Sequence, residues 1–177
     1  GVTIRRVDIT DLAHKEFEAI DHDPAEHTVT YENVQARART SILMNTANKI
    51  GGLVIGTGDL SEVALGWSTY NGDHMSMYAL NAGIPKTLVQ YVIEYFKSEK
   101  EIAAIIDDIL ATPISPELLP HKENEIVQHT ESIVGPYELH DFFLYHFIKY
   151  GAKPEKIRNL AKKAFDIKYD EEHIKEW

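Results

Sequence analysis

Gly52-Leu53-Val54-Ile55-Gly56-Thr57-Gly58-Asp59-Leu60-Ser61-Glu62 is the stretch on which the fold turns. Leu53-Val54-Ile55 reads as a short, wholly apolar strand of the kind buried on both faces of a parallel sheet. It runs straight into Gly56-Thr57-Gly58-Asp59 and then a short helix starting near Leu60. In an open parallel sheet, ligands bind beyond the carboxyl ends of the strands. The glycines let backbone approach a ligand closely, and the N–H groups of the following helix start favour a phosphate or other anion. Thr57 adds a hydroxyl there, and Glu62 a carboxylate about one turn later. As a dinucleotide fingerprint the pattern is incomplete: the third glycine is missing, and no Gly-x-x-x-x-Gly-Lys phosphate loop occurs in the chain.

Upstream, the β-branched run Val2 to Ile9 predicts a strand that passes through Thr10 and Asp11 into a helix from about Asp11 to Ile20. His22-Asp23-Pro24 breaks the pattern. A long helix follows from about Thr30 to Ile50, with Val34, Ala38, Ile42 and Ala47 on its apolar side. Gly51 and Gly52 stop it. Downstream, Trp67 to Ala82 has neither period and is rich in Gly, Asn, Ser and Asp. So long an irregular stretch inside a compact domain points to function. Pro85 opens a helix over Lys86 to Lys97, and another runs from Glu99 to Leu110. Thr112 to Glu125 holds three prolines and reads as a loop. From Pro136 to Trp177 the chain reads as helical, interrupted at Gly151 to Pro154. This order implies an α/β layer architecture with an all-helical C-terminal end.

Composition narrows the function. The 177 residues, 44% hydrophobic and 26% charged, suit one globular domain with a real core. Eighteen basic against 28 acidic side chains give a net charge of −10, which disfavours nucleic acid as a partner. With no cysteine, disulfides, Cys-ligated zinc, iron–sulfur clusters and cysteine nucleophiles are excluded. No apolar run approaches the roughly 20 residues that span a bilayer, and no charged-then-apolar leader opens the chain; the expectation is a cytoplasmic protein without a membrane partner. The strand-like start without Met reads as a piece of a longer polypeptide. The histidines do not suggest a metal site: His140 and His146 are six apart and face different sides of a helix, while His121 and His129 have no partner at ligand spacing. Phe142-Phe143-Leu144-Tyr145 with Phe147 and Ile148 reads as core, with a subunit contact as the second reading.

Taken singly, the polar residues have bland readings. Asp59 with Glu62 three residues on has capping-box spacing. Asn33 and Arg37, four apart, share one face of the long helix and suit a solvated surface. Trp67 and Tyr70 suit the core. The whole string is more specific. Tyr31-Glu32-Asn33-Val34-Gln35-Ala36-Arg37-Ala38-Arg39-Thr40, then Ile55-Gly56-Thr57-Gly58-Asp59-Leu60-Ser61-Glu62, then Leu65-Gly66-Trp67-Ser68-Thr69-Tyr70-Asn71-Gly72-Asp73, closely resembles NAD synthetase, above all the glutamine-dependent bacterial form. Gly83-Ile84-Pro85-Lys86-Thr87 and Ile114-Ser115-Pro116-Glu117-Leu118 extend the match over essentially the whole chain.

That resemblance implies a partial Rossmann-like parallel sheet of the adenine-nucleotide alpha-hydrolase type with a helical C-terminal end. It also implies a ligase chemistry in which ATP adenylates the nicotinate carboxylate of deamido-NAD and ammonia then displaces AMP. Two polyanions in one pocket need magnesium and cationic side chains against their charge. By motif, Thr57, Lys86 and Ser115 would contact ATP, Lys86 at its phosphates. Glu62 would sit at the magnesium and at deamido-NAD. Asn33, Arg37 and Trp67, Ser68, Thr69 and Tyr70 would hold deamido-NAD, the aromatics offering flat surface to a ring. Asp73 matches the position that receives ammonia, where a carboxylate favours ammonium and takes up its surplus proton. Ammonia would come from glutamine through a glutaminase domain, and the family's pairing implies a homo-oligomer.

The chain departs from the family pattern in two ways. The pyrophosphate loop, Ser-Gly-Gly-x-Asp-Ser, does not occur in it, and neither does the glutaminase domain with its cysteine nucleophile. A basic segment of the family's C-terminus also falls beyond Trp177. The expectation is a single domain over residues 1–177, the C-terminal portion of an NAD synthetase domain, inactive alone because half its phosphate cradle is missing. Two alternatives stand beside it. Another ATP-pyrophosphatase, forming GMP or asparagine, is opposed by the Trp67–Tyr70 and Gly72-Asp73 runs. A non-catalytic nucleotide-binding or dimerisation module is the alternative from a different class.

Overall fold

A computed structural model describes residues 2–112 and 130–177. Helix α1 (Thr10–Ala19) begins where the Asp8 carboxylate accepts the Thr10 N–H at 2.8 Å. Helix α2 (Val29–Ile50) packs against it, and Phe17, Ala13 and Val34 form a small core closed by Tyr31. The Phe17 and Tyr31 rings stack at 5.4 Å with 6° between their planes. Burying an aromatic side chain of this size contributes about 1.5–3 kcal/mol. Gly51 ends α2 in the left-handed region at φ 66°, and the Gly52 N–H donates to the Ala47 carbonyl at 2.9 Å.

The N-terminal run corrects the expectation of a strand. Residues 2–9 form no regular element, with Val2 and Ile4 89% and 83% exposed. β-branching favours extended backbone, but a strand also needs a neighbour for its N–H and C=O groups, and none pairs with this run among the described residues.

The sheet has two parallel strands, β1 (Ile55–Asp59) and β2 (Tyr78–Asn81), with Ile55 opposite Tyr78, Gly56 opposite Ala79 and Asp59 opposite Asn81. Two expectations need revising here. The strand starts two residues later than Leu53 and runs through Gly56 and Gly58, which are therefore strand residues rather than a turn. Nor is it buried on both faces, since Leu53 and Ile55 are 60% and 50% exposed. Gly56 is required by proximity: a Cβ there would lie 2.7 Å from Ser76 Cβ. The register is irregular between Gly56 and Asp59, as glycine in a strand permits. Strand β2 falls inside the stretch read as wholly irregular. Its Tyr-Ala-Leu-Asn sequence does not alternate, and it is placed by the Val54 carbonyl, which accepts the Met77 and Tyr78 N–H groups at 3.0 and 3.1 Å.

Helix α3 (Leu60–Leu65) follows β1 directly, and α4 (Lys86–Tyr95) follows β2 through Pro85. A 3₁₀ turn, Phe96–Ser98, leads to α5 (Ala103–Ala111). The C-terminal part holds α6 (Glu131–Val134), α7 (Tyr137–Leu144), a π turn at Tyr145–Lys149, α8 (Pro154–Ala164) and α9 (Glu171–Glu176). Leu139, Ala161 and Ile174 form its core, with Phe142, Phe143, Phe165 and Tyr169 packed around them. The aromatic run therefore divides: Phe142 and Phe143 are core, while Phe147 and Ile148 are 61% and 59% exposed. The result is an α/β fold with a short parallel sheet and a helical C-terminal end. None of its described helices is long and apolar enough to cross a membrane.

Glu138 ties α7 to the turn after α8. Its Oε1 accepts from the Tyr169 hydroxyl and pairs with Lys168. Burial pushes this carboxyl up, but the Lys168 and Tyr169 bonds outweigh it and hold it below its ordinary value. Its contribution to stability is therefore complete above the unfolded carboxyl value and fades as pH falls through the lower, folded one. Thermal melts between pH 6 and pH 3 should show a slope in stability that Glu138→Gln reduces. Equal slopes in parent and variant would refute this.

Candidate functional site

Two clusters of side chains form around helix α3. The first is at its start. Asp59 Oδ1 accepts the Glu62 N–H at 2.9 Å, and Glu62 Oε2 accepts the Asp59 N–H at 3.3 Å. This is a complete capping box, so the bland reading of the pair is correct as far as it goes. The other oxygens of both residues face Lys86, whose Nζ lies 2.8 Å from Asp59 Oδ2 and 2.7 Å from Glu62 Oε1. The ammonium also sits 5.2 Å over the ring centroid of Tyr137. Burial opposes the charge on Lys86, but the two carboxylates outweigh it and raise its pKa, so it is an ammonium at any working pH. Burial likewise pushes the Tyr137 hydroxyl up to about 12, leaving a neutral phenol.

The second cluster joins α2 to the loop after α3. Thr69 Oγ1 donates to Asn33 Oδ1 at 2.8 Å, Arg37 Nε donates to the Tyr70 carbonyl at 3.1 Å, and Thr40 Oγ1 donates to the Gly72 carbonyl at 2.7 Å. Within the loop, the Thr69 N–H donates to Asp73 Oδ1 at 2.7 Å, and His74 Nδ1 donates to the Thr69 carbonyl at 2.7 Å. Gly72 is where loop and helix touch: a Cβ there would stand 3.1 Å from Ala36 Cβ and 2.8 Å from Thr69 Cβ. Asn71 turns the chain at φ 57°, a left-handed value that asparagine tolerates.

One helix cap connects the two clusters. Gly66 ends α3 at φ 66°, and the Trp67 N–H reaches back to the Glu62 carbonyl at 3.0 Å. Glu62 thus heads the turn that aims Trp67. Of the residues singled out from sequence, Glu62 and Lys86 meet at one end of α3. Asn33, Arg37, Thr69, Tyr70 and Asp73 meet at the other, with half-buried Trp67 and exposed Ser68 between. Tyr70 is 75% exposed, so it presents a ring to the surface rather than filling the core. Thr57 is exposed on β1, two residues before Asp59. Ser115 lies outside the described residues, as do His121 and His129.

Three participants escaped the sequence reading. Asp59 was hidden by its capping role, which explains its presence without invoking its second oxygen. Tyr137 and Asp141 lie one turn apart on α7 and are 2% and 6% exposed. Their i, i+4 spacing was the available signal, but the aromatic run around them suggested only packing. Lys86 and Tyr137 also line a cavity of about 460 Å³ with Thr87, Glu131 and Lys168.

The donor set does not by itself fit a metal ion. Both Glu62 oxygens are engaged, one by Lys86 and one by the Asp59 N–H. Among the described residues no group of three His, Asp or Glu side chains is placed to hold a cation. A hard divalent cation needs about six oxygen ligands, more than Glu62 and its neighbours among the described residues offer.

Comparison with known proteins gives the family and the fold. The family model for NAD synthase matches residues 1–174. The chain is 45% identical over 174 residues to the glutamine-dependent NAD(+) synthetase of Mycobacterium leprae, covering 93% of this chain and 26% of that protein. The crystal structure of a glutamine-dependent NAD(+) synthetase from Cytophaga hutchinsonii shares the fold at a TM-score of 0.64 and 19% identity, over 96% of this chain and 25% of that one. The enzyme from Acinetobacter baumannii, solved in complex with ADP, is 26% identical at a TM-score of 0.54, over 96% of this chain and 27% of that one. The chain thus spans about a quarter of the length of the relatives it matches.

Proposed function

The chain belongs to the NAD synthase family, and from that membership we propose that its 177 residues serve the ATP-dependent amidation of deamido-NAD to NAD. In this reading a nicotinate carboxylate oxygen attacks the α-phosphorus of ATP and pyrophosphate leaves. Ammonia then attacks the acyl carbon and AMP leaves with the carboxylate oxygen. The single observation that carries the reading is the convergence of Asn33 and Arg37 on the Thr69 to Asp73 loop, two stretches more than thirty residues apart in sequence.

On this proposal the α2 face and the loop hold deamido-NAD through Asn33, Arg37, Trp67, Ser68, Thr69 and Tyr70. Trp67 and Tyr70 offer rings to the pyridine. Asp73 is the residue on which ammonia arrives. Its Oδ1 is held by the Thr69 N–H, which aims the second oxygen, and that oxygen takes the proton ammonia loses as the amide forms. Thr57 and Ser115 contact ATP. Lys86, held between two carboxylates, offsets charge on the phosphates. Glu62 orients Lys86 and reaches deamido-NAD. Magnesium remains part of the proposal only with ligands beyond those described.

The 177 residues contain no Ser-Gly-Gly-x-Asp-Ser run. We therefore assign them the C-terminal portion of a synthetase domain, whose phosphate cradle is completed by residues outside them. Nitrogen supplied from glutamine by a glutaminase domain, a homo-oligomeric state and a cytoplasmic location belong to the same proposal.

Calorimetric titration with deamido-NAD tests it. Arg37→Ala removes the tie to the loop, and Trp67→Ala removes the proposed ring platform. Each is expected to weaken binding about tenfold, the scale of one charged hydrogen bond or one aromatic contact. A parent that binds, with both variants binding equally well, would overturn the assignment.

A further inference from the structure

Helix α7 grips the start of α4 from one face. Asp141 is 6% exposed, and both its oxygens are used there. Its Oδ2 accepts the Thr87 N–H at 2.9 Å and the Thr87 hydroxyl at 2.6 Å, and its Oδ1 accepts the Ser61 hydroxyl. Ser61 is fully buried, and its Oγ in turn accepts the Lys86 N–H at 2.9 Å. Pro85 at the start of α4 makes no side-chain cap, so the first N–H groups of that helix depend on these two residues from other elements. One turn earlier on α7, the buried Tyr137 ring lies under the Lys86 ammonium. A single helix therefore holds Lys86 twice, through its backbone by way of Ser61 and Thr87 and at its head by way of Tyr137.

We propose that Asp141 is a positioning residue for Lys86: by fixing the start of α4 against α3, it sets the ammonium between Asp59 and Glu62, where it can meet ligand phosphate. This rests on the reading of Lys86 as a phosphate contact, but the placement of Lys86 can be measured separately. An ammonium locked between two carboxylates gives little free amine, so Lys86 acylates slowly. Releasing α4 lets the side chain leave its partners and react.

The experiment is acetylation of the 177-residue chain with a water-soluble active ester, followed by peptide mass spectrometry. The Lys86 rate is taken relative to Lys97 and Lys162, which are held in ion pairs with Asp107 and Glu171 in the same molecule. Asp141→Ala is expected to raise the relative rate of Lys86 about fivefold or more, the scale of losing charged hydrogen bonds. Asp141→Asn keeps one acceptor oxygen and should give a smaller rise. A purely structural role would leave the relative rate unmoved, because general loosening frees all the paired lysines together. Should Asp141→Ala unfold, Ser61→Ala decides, since it cuts the link from Asp141 to the Lys86 N–H and leaves both Asp141 bonds to Thr87 in place. An unchanged Lys86 rate in both Asp141→Asn and Ser61→Ala would overturn the proposal. Titration with ATP alone separates the two ideas. Faster Lys86 labelling with an ATP affinity that Lys86→Ala leaves intact would uphold Asp141 and reject the phosphate reading. Unchanged labelling with ATP binding lost in Lys86→Ala would do the reverse.

Discussion

Lys86→Met is expected to lower the free energy of unfolding by about 3–5 kcal/mol, the usual consequence of removing one partner from a buried ion pair. Asp59 is 4% exposed and has its second oxygen on the Lys86 ammonium. Methionine fills much the same volume but leaves that buried carboxylate with no cation. The energy lost is mainly that of stranding the Asp59 charge, so removing that charge should restore part of it. Adding Asp59→Asn does so while keeping a good helix cap. Urea unfolding of the two single variants and the double variant makes the comparison. A loss below about 1 kcal/mol for Lys86→Met would place this pair among ordinary surface ion pairs and remove its special status.

The second large effect is far from the site. Leu139→Ala should lower stability by about 2–5 kcal/mol. Leu139 is fully buried and packs with Ala161 and Ile174 beneath Phe142, Phe143, Phe165 and Tyr169. Rings of that size close poorly over a lost isobutyl group, so the cavity stays open. Because Tyr137 and Asp141 leave the same helix as Leu139, one turn of α7 carries both the core and the grip on Lys86. Val63→Ala, at a side chain 62% exposed, is the control and should stay within about 0.5 kcal/mol. Thermal denaturation giving the two variants equal stability would show that the helical end has no core of its own.

The long helix α2 and its glycine stop were legible in the sequence because an apolar stripe at helical spacing and a left-handed cap are local signals. The same holds for the capping box at Asp59 and for Pro85 opening α4. The strands were read badly for the converse reason. Leu53-Val54-Ile55 has the apolar character of a buried strand, yet the ladder starts at Ile55, because only there does β2 lie alongside. Val2 to Ile9 has the propensity but no paired neighbour among the described residues, and Tyr78 to Asn81 has the neighbour without the pattern. Pairing is a long-range event, and propensity measures only the willingness to take part.

The sequence by itself determined the family of this protein, most of its helices and the residue types gathered for the proposed site. Its long motifs also singled out Asn33, Arg37, Glu62, Thr69, Tyr70, Asp73 and Lys86. Tertiary structure alone decided which of these meet. A hydrogen bond between Thr69 and Asn33, or an ammonium shared by Asp59 and Glu62, depends on the path of the backbone between them, and no local pattern encodes that path. It also decided that Glu62 is cap and counter-ion at once, and that Asp141 holds the start of a helix more than fifty residues away.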